Sequence, residues 1–500
     1  MGGSYVEAEA GKEAGADLST VFAGVWFQPT FVAGVRDDEL DTIKGLFAEW
    51  GAKYPRNLIR SQYRDMKVRI KPSGNIPEEA IRRIEAVSDW PEKAVSALAE
   101  RSIFEGFVSP GVEQDPFGLA GILDANRFDI ELPQAIDSTY THSCSFITTA
   151  DGDVASGEPE VLVMAREALW SVATWDKRRR RIDAAMSISG TDDSGQPTSV
   201  DVFLPDVVLS MRRRPSGSWV AERRPNRLGE VPVEPLAYKP SLSRPFGRSR
   251  ISRAVMNVTD RALLAIVRAE IGSDFYALPR MYALGVAEDA FSKGKWRAAV
   301  DSWFAISKDE DGDKPTVGQF PQMTTQPLND HYRTIATQFS GATGVPVSNL
   351  GIVTDNPPSA EALYADDRRI VSTATTQNRV FGSALKRVAQ RVVRLRDGGD
   401  VTPELAQLDV AWANPAFTSP ATSAAALQQL NSVFPWLSES QVALEFAGFS
   451  QAEITRLMTD KSRYDARVFS RALSNVGVPG ATSGRGSAPA GIDGGDVARG

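Results

Sequence analysis

Among 500 residues there is one cysteine, Cys144, and there are two histidines, His142 and His331. A single thiol forms no intrachain disulfide, so the fold is not a disulfide scaffold. So few imidazoles leave a Ser-His-Asp or Cys-His site little to draw on. His142 and Cys144 fall together in "THSCS", which reads as alternate side chains on a strand. A zinc site needs about four ligands, and nothing nearby completes one, so no metal and no cofactor are expected. Phosphate-binding loops are missing too: "GATGVP" lacks the lysine of a Walker A loop, and neither G-x-G-x-x-G nor G-x-S-x-G occurs. The acidic turn "KDEDGDKPT" lacks the terminal Glu of a calcium loop. No carboxylate pair stands out for glycosidase chemistry. No enzyme is expected.

A long unbroken apolar run is also missing. "LSTVFAGVWFQPTFVAGV" (Leu18 to Val35) is uncharged, but Gln28 and Pro29 interrupt it, and it reads as a buried or partner-contacting segment rather than a membrane span. The start, "MGGSYVEAEAGKEAG", has no basic and apolar signal-peptide regions, and Val6 stands where a myristoylation motif needs Ser or Thr. The net charge is -7. A basic surface that grips nucleic acid over the whole molecule is therefore excluded, although DNA that slides past without sticking is not.

What is present has the composition of a large globular chain, with 42% hydrophobic and 24% charged residues. Length alone suggests about three domains. Residues 36 to 108 read as helical: "RDDELDTIKGLFAEWGAKY", "IPEEAIRRIEAVSDW" and "WPEKAVSALAERSIF" carry apolar residues at helical spacing, and "GLAGILDANRFDIELPQAIDSTYTHS" continues so. From about residue 143 short β-type runs alternate with Asp/Gly/Ser turns, an antiparallel meander. Two basic clusters, Lys177 to Arg181 and Arg212 to Arg214, abut its strand ends and read first as solvated or subunit-facing surface. A helix of about two dozen residues follows from Ile251. Val255, Val258, Ala262 and Ile266 lie on one face, with Leu263, Leu264 and Val267 beside it. So wide an apolar arc must be buried on several sides, within the subunit or between subunits.

Residues 276 to 327 mix strand-like runs ("RMYALGV", "SWFAISKD") with a short helix ("EDAFSKGKWRAAVD"). "PLNDHYRTIATQFSGATGVP" is a helix that stops at Gly344, with Pro346 just beyond. A loop of small, apolar and Asn/Asp/Pro residues follows. Ser359 is then a plausible N-cap for a helix running without a proline to about Leu395, a rod of roughly 55 Å. Its seam contains Leu363, Ile370, Ala374, Phe381, Leu385, Val388 and Val392. A strand in "VTPELAQLDVAWANPAF" precedes further short helices, and the Gly/Ala/Ser/Pro-rich end reads as disordered.

The stretches "RPFGRSRISRAVMNVTDRALLAIVRAEIGSDFYALPRMYALG" and "GVPVSNLGIVTDNPPSAEALYADDRRIV" resemble phage portal proteins, specifically those of tailed phages that infect actinobacteria. "WPEKAVSALAERSIFEGF" and "SESQVALEFAGFSQAEITRLMTD" resemble the same family, in the same order. The resemblance runs over about residues 20 to 475. It implies an α+β portal fold assembled as a cyclic ring of about twelve copies. The wing with its N-terminal arm would be residues 1–250, and the first stem helix 251–275. A small α/β clip would span 276–327, the second stem helix 328–343, and the tunnel loop 344–358. The long wing or spine helix would be 359–396, the helical crown 397–476, and the tail 477–500. Val347, Ser348, Asn349, Leu350, Ile352, Val353, Thr354, Asp355 and Asn356 would then line a DNA channel. No cation lies between Gly344 and Ser359, so they would touch a duplex without condensing on its phosphates. Arg253, Asp260, Arg261, Arg268, Glu270 and Asp274, alternating in sign on the first stem helix, would meet neighbouring subunits. Implied partners are other copies of the chain, double-stranded DNA, the large terminase subunit, the major capsid protein with its scaffold, and a head-tail adaptor, with no membrane. The implied place is the portal vertex of the virion, after assembly in the host cytoplasm. The rival readings are another oligomeric virion protein, such as a head-tail adaptor itself, or an enzyme with an unrecognised site.

Overall fold

A computed structural model describes residues 29–68, 84–110, 115–277, 281–284, 316–319, 324–352, 360–416, 420–449 and 451–475. The expected helix over 76–83, the runs "EDAFSKGKWRAAVD" and "SWFAISKD", residues 353–356, the first 28 residues and the tail from 476 lie outside them. The chain forms two compact units, residues 1–416 and 417–500. Among the described residues no helix is long and apolar enough to cross a membrane.

The first unit begins with strand β1 (Val32–Ala33) and helix α1 (Asp37–Arg64). Three acids, Asp37, Asp38 and Glu39, occupy the first turn of α1, where the helix dipole favours negative charge. Ile43, Leu46, Phe47, Trp50, Tyr54 and Asn57 make its buried stripe at helical period. The helix runs through Pro55. An interior proline costs ~3 kcal/mol, and tertiary anchors beyond it offset that. Asn57 donates to the Ala168 carbonyl (2.9 Å), and Arg60 donates to the His142 carbonyl (2.7 Å).

Helix α2 (Trp90–Ala99) has Pro91 in its first turn, and residues 84–89 before it are not helical. Strand β2 (Phe104–Val108) replaces the helix expected there. Helices α3 (Leu119–Ala125) and α4 (Phe128–His142) lead into the β region. The meander divides into two sheets. Strands β3 (Cys144–Asp151) and β4 (Val161–Glu167) join β10 (Val233–Ala237) in the order β10-β3-β4. Strands β5 (Ser171–Asp176), β6 (Arg181–Thr191), β7 (Pro197–Phe203), β8 (Val207–Arg213) and β9 (Trp219–Pro225) form the antiparallel meander itself. β1 adds to its far edge, parallel to β9. α1 lies on this larger sheet, and Trp50 Nε1 donates to the Leu169 carbonyl (2.9 Å). At the start of α1, Glu39 is gripped by both Nη atoms of Arg223 on β9 (2.6 and 2.9 Å).

His142 closes α4, and Cys144 opens β3, so the pair does not alternate on one strand as the sequence suggested. The His142 ring is held by Ser61 Oγ (2.8 Å) and Ser138 Oγ (3.1 Å), with a Glu167 oxygen 3.5 Å away. Burial, aided by the charge of Arg60, pushes its pKa down to about 3. The unfolded chain binds a proton near pH 6.5 that the folded chain refuses until about 3. The contribution of this imidazole is therefore full above pH 6.5 and drains away as the pH falls through that window, while Glu167, pushed up to about 7 by burial, gains stability over the same range. By pH 5 the loss assigned to His142 is about 2 kcal/mol. Melting temperature measured against pH checks this: relative to its value at pH 7, His142→Gln is expected to keep more stability at pH 5 than the unsubstituted chain does. Burial pushes the Cys144 thiol up to about 11, which keeps it protonated.

The remaining elements are helix α5 (Arg253–Ala277), the paired strands β11 (Met281–Leu284) and β12 (Thr316–Gln319), helix α6 (Gln326–Thr343), helix α7 (Ala360–Asp397) and strand β13 (Asp409–Trp412). β13 pairs antiparallel with β2. That pairing holds the chain in the first unit up to residue 416, so the second unit starts later than the crown boundary at 397 expected from the resemblance. α7 passes close to β13 where Gly382 leaves room: a Cβ there would stand 3.3 Å from Trp412 Nε1.

In the second unit, α8 (Pro420–Val433), α9 (Gln441–Ala447) and α10 (Gln451–Asn475) follow one another. Ala443 and Ile454 are buried, while Val433, Trp436, Tyr464 and Phe469 are exposed.

Candidate functional site

Helices α5 and α6 form an antiparallel pair. Arg261 Nη1 donates to Gln338 Oε1 (2.6 Å) near one end, and Gly272 lies against Leu328 near the other. The pair is rooted in the main core through Val255, Val258, Ala262 and Ala265 of α5 and Ile335, Ala336 and Phe339 of α6. On α6, Asn329, Asp330, His331, Arg333 and Thr334 precede that root and are exposed. The same helix thus changes from a core element to a solvated one along its length.

The charged residues expected at subunit contacts divide between two settings. Arg253, Arg268 and Glu270 are exposed. Asp260 accepts a hydrogen bond from the Tyr63 hydroxyl (2.8 Å), and Arg261 is engaged with Gln338, so these two already bind within their own chain. Burial, together with Asp260, holds the Tyr63 hydroxyl above its usual pKa. Asp274 lies on α5, and its side chain is outside the described residues.

α6 ends at Gly344, whose φ of +78° is the left-handed conformation that favours glycine. Two arginines complete the end. Arg250 is buried and donates from Nη1 to the Thr343 carbonyl (2.9 Å) and from Nε to the Ala94 carbonyl of α2 (2.7 Å). Arg369 of α7 donates to the Gly341 carbonyl (3.2 Å), and its side chain lies over Gly344. Cations here match the negative end of the helix dipole and satisfy its orphan carbonyls. The chain beyond Gly344 therefore starts from a fixed point.

That chain does not leave the core at once. Val345 and Pro346 are buried, and Val347–Leu350 winds into a 3-10 turn. Leu350 is buried in the main core, and Val347 and Ile352 pack against it. Ser348 and Asn349 are exposed. Val353, Thr354, Asp355 and Asn356 lie outside the described residues. Among the described residues of the loop, Val347, Leu350 and Ile352 anchor it, and the exposed ones are uncharged. The i, i+3 spacing of Val347 and Leu350 is the signal in the sequence that marks this turn.

α7 is fixed by a buried ionic cluster. Arg387, Arg391 and Arg394 lie along one face and meet Glu230 and Glu234. Arg391 reaches Glu234 (3.0 Å) and Glu230 (3.3 Å), Arg387 reaches Glu234 (2.6 Å), and Arg394 reaches Glu230 (2.9 Å). Its other end is tied by Arg101, which donates to Asp367 (3.2 Å). Among the described residues no group of His, Cys, Asp and Glu is placed to hold a metal.

A family model described as phage portal protein, SPP1 Gp6-like, matches residues 73–443. The chain belongs to the phage portal protein family. The match takes in α2 through α7 and β13, and it ends within α9. Two portal proteins are similar along most of their length. That of Mycobacterium phage D29 is 26% identical over 371 residues, which cover 73% of this chain and 76% of that one. That of Mycobacterium phage L5 is 24% identical over 377 residues, covering 74% and 77%. Among solved structures, a chain from the virion of a native gene transfer agent particle aligns with a TM-score of 0.41 at 13% identity, over 76% of this portal family member and 94% of that chain. A chain from the neck of an empty gene transfer agent particle aligns with a TM-score of 0.42 at 13% identity, over 72% and 90%. Portal proteins are structural components of the phage virion, and the helix pair, loop and long helix all fall within the matched span.

Proposed function

We propose that this chain assembles as a ring of about twelve copies that surrounds a DNA channel at one capsid vertex. The ring nucleates the procapsid with capsid protein and scaffold, docks the large terminase subunit during packaging, then joins a head-tail adaptor and passes DNA at ejection. It works as a conduit, with catalysis supplied by the motor in another chain. The observation that carries this reading is the α5/α6 pair, rooted in the core at one end and exposed along the N-terminal half of α6. A two-helix stalk of this kind is completed by neighbouring copies in a head-to-tail ring, where each subunit presents two different faces. Arg253, Arg268 and Glu270 are available to those neighbours, each such solvated pair contributing ~1 kcal/mol or less.

The loop after α6 is then the constriction. Its base is fixed by Arg250, Arg369 and the buried Leu350, and Ser348, Asn349 and Gly351 are the exposed members of the described part. Val353, Thr354, Asp355 and Asn356 continue it, with no cation before Ser359. Neutral and acidic residues touch a duplex without the salt-dependent trap that lysines and arginines would make. Asp355→Lys tests this. Rings are expected to form normally, while DNA filling of particles falls severely at low salt. Normal filling by the variant would count against close DNA contact at the loop.

A further inference from the structure

The larger sheet carries two arginine-rich turns with different surroundings. In the β8–β9 turn, Arg213 pairs with Asp192 (3.4 Å), and that turn shares its end of the meander with Asp192 and Asp193. Its charge is compensated locally. In the β5–β6 turn, Lys177, Arg178, Arg179 and Arg180 follow one another, and all four are exposed. Arg179 makes a long pair with Asp176 (3.8 Å). Lys177, Arg178 and Arg180 pair with no carboxylate among the described residues. Arg181, next in line, is committed to Glu230 (3.4 Å) and so belongs to the cluster under α7.

This tip is built rather than loose. Asp176 and Arg181 close it as register partners, and the Arg180 amide donates to the Asp176 carbonyl (2.8 Å). One Asp176 carboxylate oxygen accepts from the amides of Arg178 (2.8 Å) and Arg179 (3.0 Å). Arg180 sits at a φ of +54°, a turn position that favours glycine or asparagine. A cation is kept there at a conformational cost, beside three others that repel it. The tip presents no apolar anchor: Trp175 turns onto Phe246, 5.9 Å between ring centroids. Protein interfaces draw most of their energy from such anchors, whereas a phosphate backbone asks only for cations. The chain as a whole carries a net charge of -7, so outside these four cations it carries -11, and a polyanion is steered to this point and away from the rest.

We propose that the Lys177–Arg180 tip docks the phosphate backbone of duplex DNA, at a site separate from the loop after α6 and independent of whether the chain closes into a ring. The test is fluorescence anisotropy of a labelled duplex of about 30 base pairs, long enough to span several phosphates, titrated with the full-length protein over a salt series. The combined variant Lys177→Gln, Arg178→Gln, Arg180→Asn is expected to weaken binding at least about 10-fold near 100 mM salt and to make the salt dependence shallower by about 2–3, close to one per lost phosphate contact. Arg212→Gln with Arg214→Gln is expected to stay within about twofold of the unsubstituted chain, since Asp192 and Asp193 at the same end of the sheet offset two of that turn's three charges. Sedimentation of the same samples reports ring formation separately. Absence of duplex binding by the unsubstituted protein, equal binding by the tip variant, or equal loss in the Arg212/Arg214 control would each overturn the proposal. Tighter binding of polyglutamate than of the duplex, abolished by the tip substitutions, would also overturn it and point to an acidic protein.

Discussion

Arg391→Met is expected to lower unfolding stability by about 3 kcal/mol, read as a fall in urea midpoint at unchanged slope. Arg391 is 5% exposed and Glu234 is 4% exposed. Breaking a buried pair leaves a charge without its partner, at ~3–5 kcal/mol. The lower end applies because Arg387 remains on Glu234, and Arg394 and Arg181 remain on Glu230. The companion Arg394→Met should lose less, about 1–2 kcal/mol, because Arg391 and Arg181 still hold Glu230 and only the Arg394 bond to the Leu228 carbonyl (2.9 Å) goes unreplaced. Equal effects of the two substitutions would show that the cluster does not concentrate its work in Arg391. α7 is the element at stake: Phe381, Leu385, Val388 and Val392 carry its seam into the main core, and the arginines fix its register against β10.

Arg250→Met is expected to cost about 3–4 kcal/mol. Two charge-assisted hydrogen bonds to buried carbonyls are lost, each worth ~1.5–3 kcal/mol, and part of that is recovered by the apolar side chain. The acceptors are Ala94 in α2 and Thr343 at the end of α6, so one guanidinium joins α2 to the base of the loop. Arg369→Ala, at the exposed side of the same helix end, should cost less than about 1 kcal/mol. Hydrogen exchange of the amides from Val345 to Leu350 checks the local consequence: their protection should fall in Arg250→Met more than global stability explains.

Much of this architecture is legible in the residues because local chemistry marks it. Gly344 and Pro346 stop α6, an apolar seam without proline makes α7, and Asp/Gly/Ser turns separate β6 from β7 and β8 from β9. What stays hidden depends on partners far away in the sequence. Phe104–Val108 reads as the end of a helical region and becomes a strand because Asp409–Trp412 supplies its partner. Pro55 stands inside α1, and nothing local shows that Asn57 and Arg60 will offset its cost by binding carbonyls across the fold. Arg250 and Arg391 look like the other arginines of the chain, since nothing adjacent reveals that an arginine will be buried. At the candidate site, composition leaves the loop without a cation, but the division between anchoring Leu350 and exposed Ser348 and Asn349 depends on the core that receives the leucine. Asp260 and Arg261, expected at subunit contacts from the resemblance to portals, have partners within the chain, Tyr63 and Gln338, that nothing adjacent in the sequence reveals.

The central claim is that copies of this chain close around DNA. Electron microscopy of the purified full-length protein, with class averages viewed down the particle axis, tests it most directly. The account predicts rings with a central hole wide enough for duplex DNA, with the α5/α6 stalks forming its wall. Compact particles without a hole would contradict it.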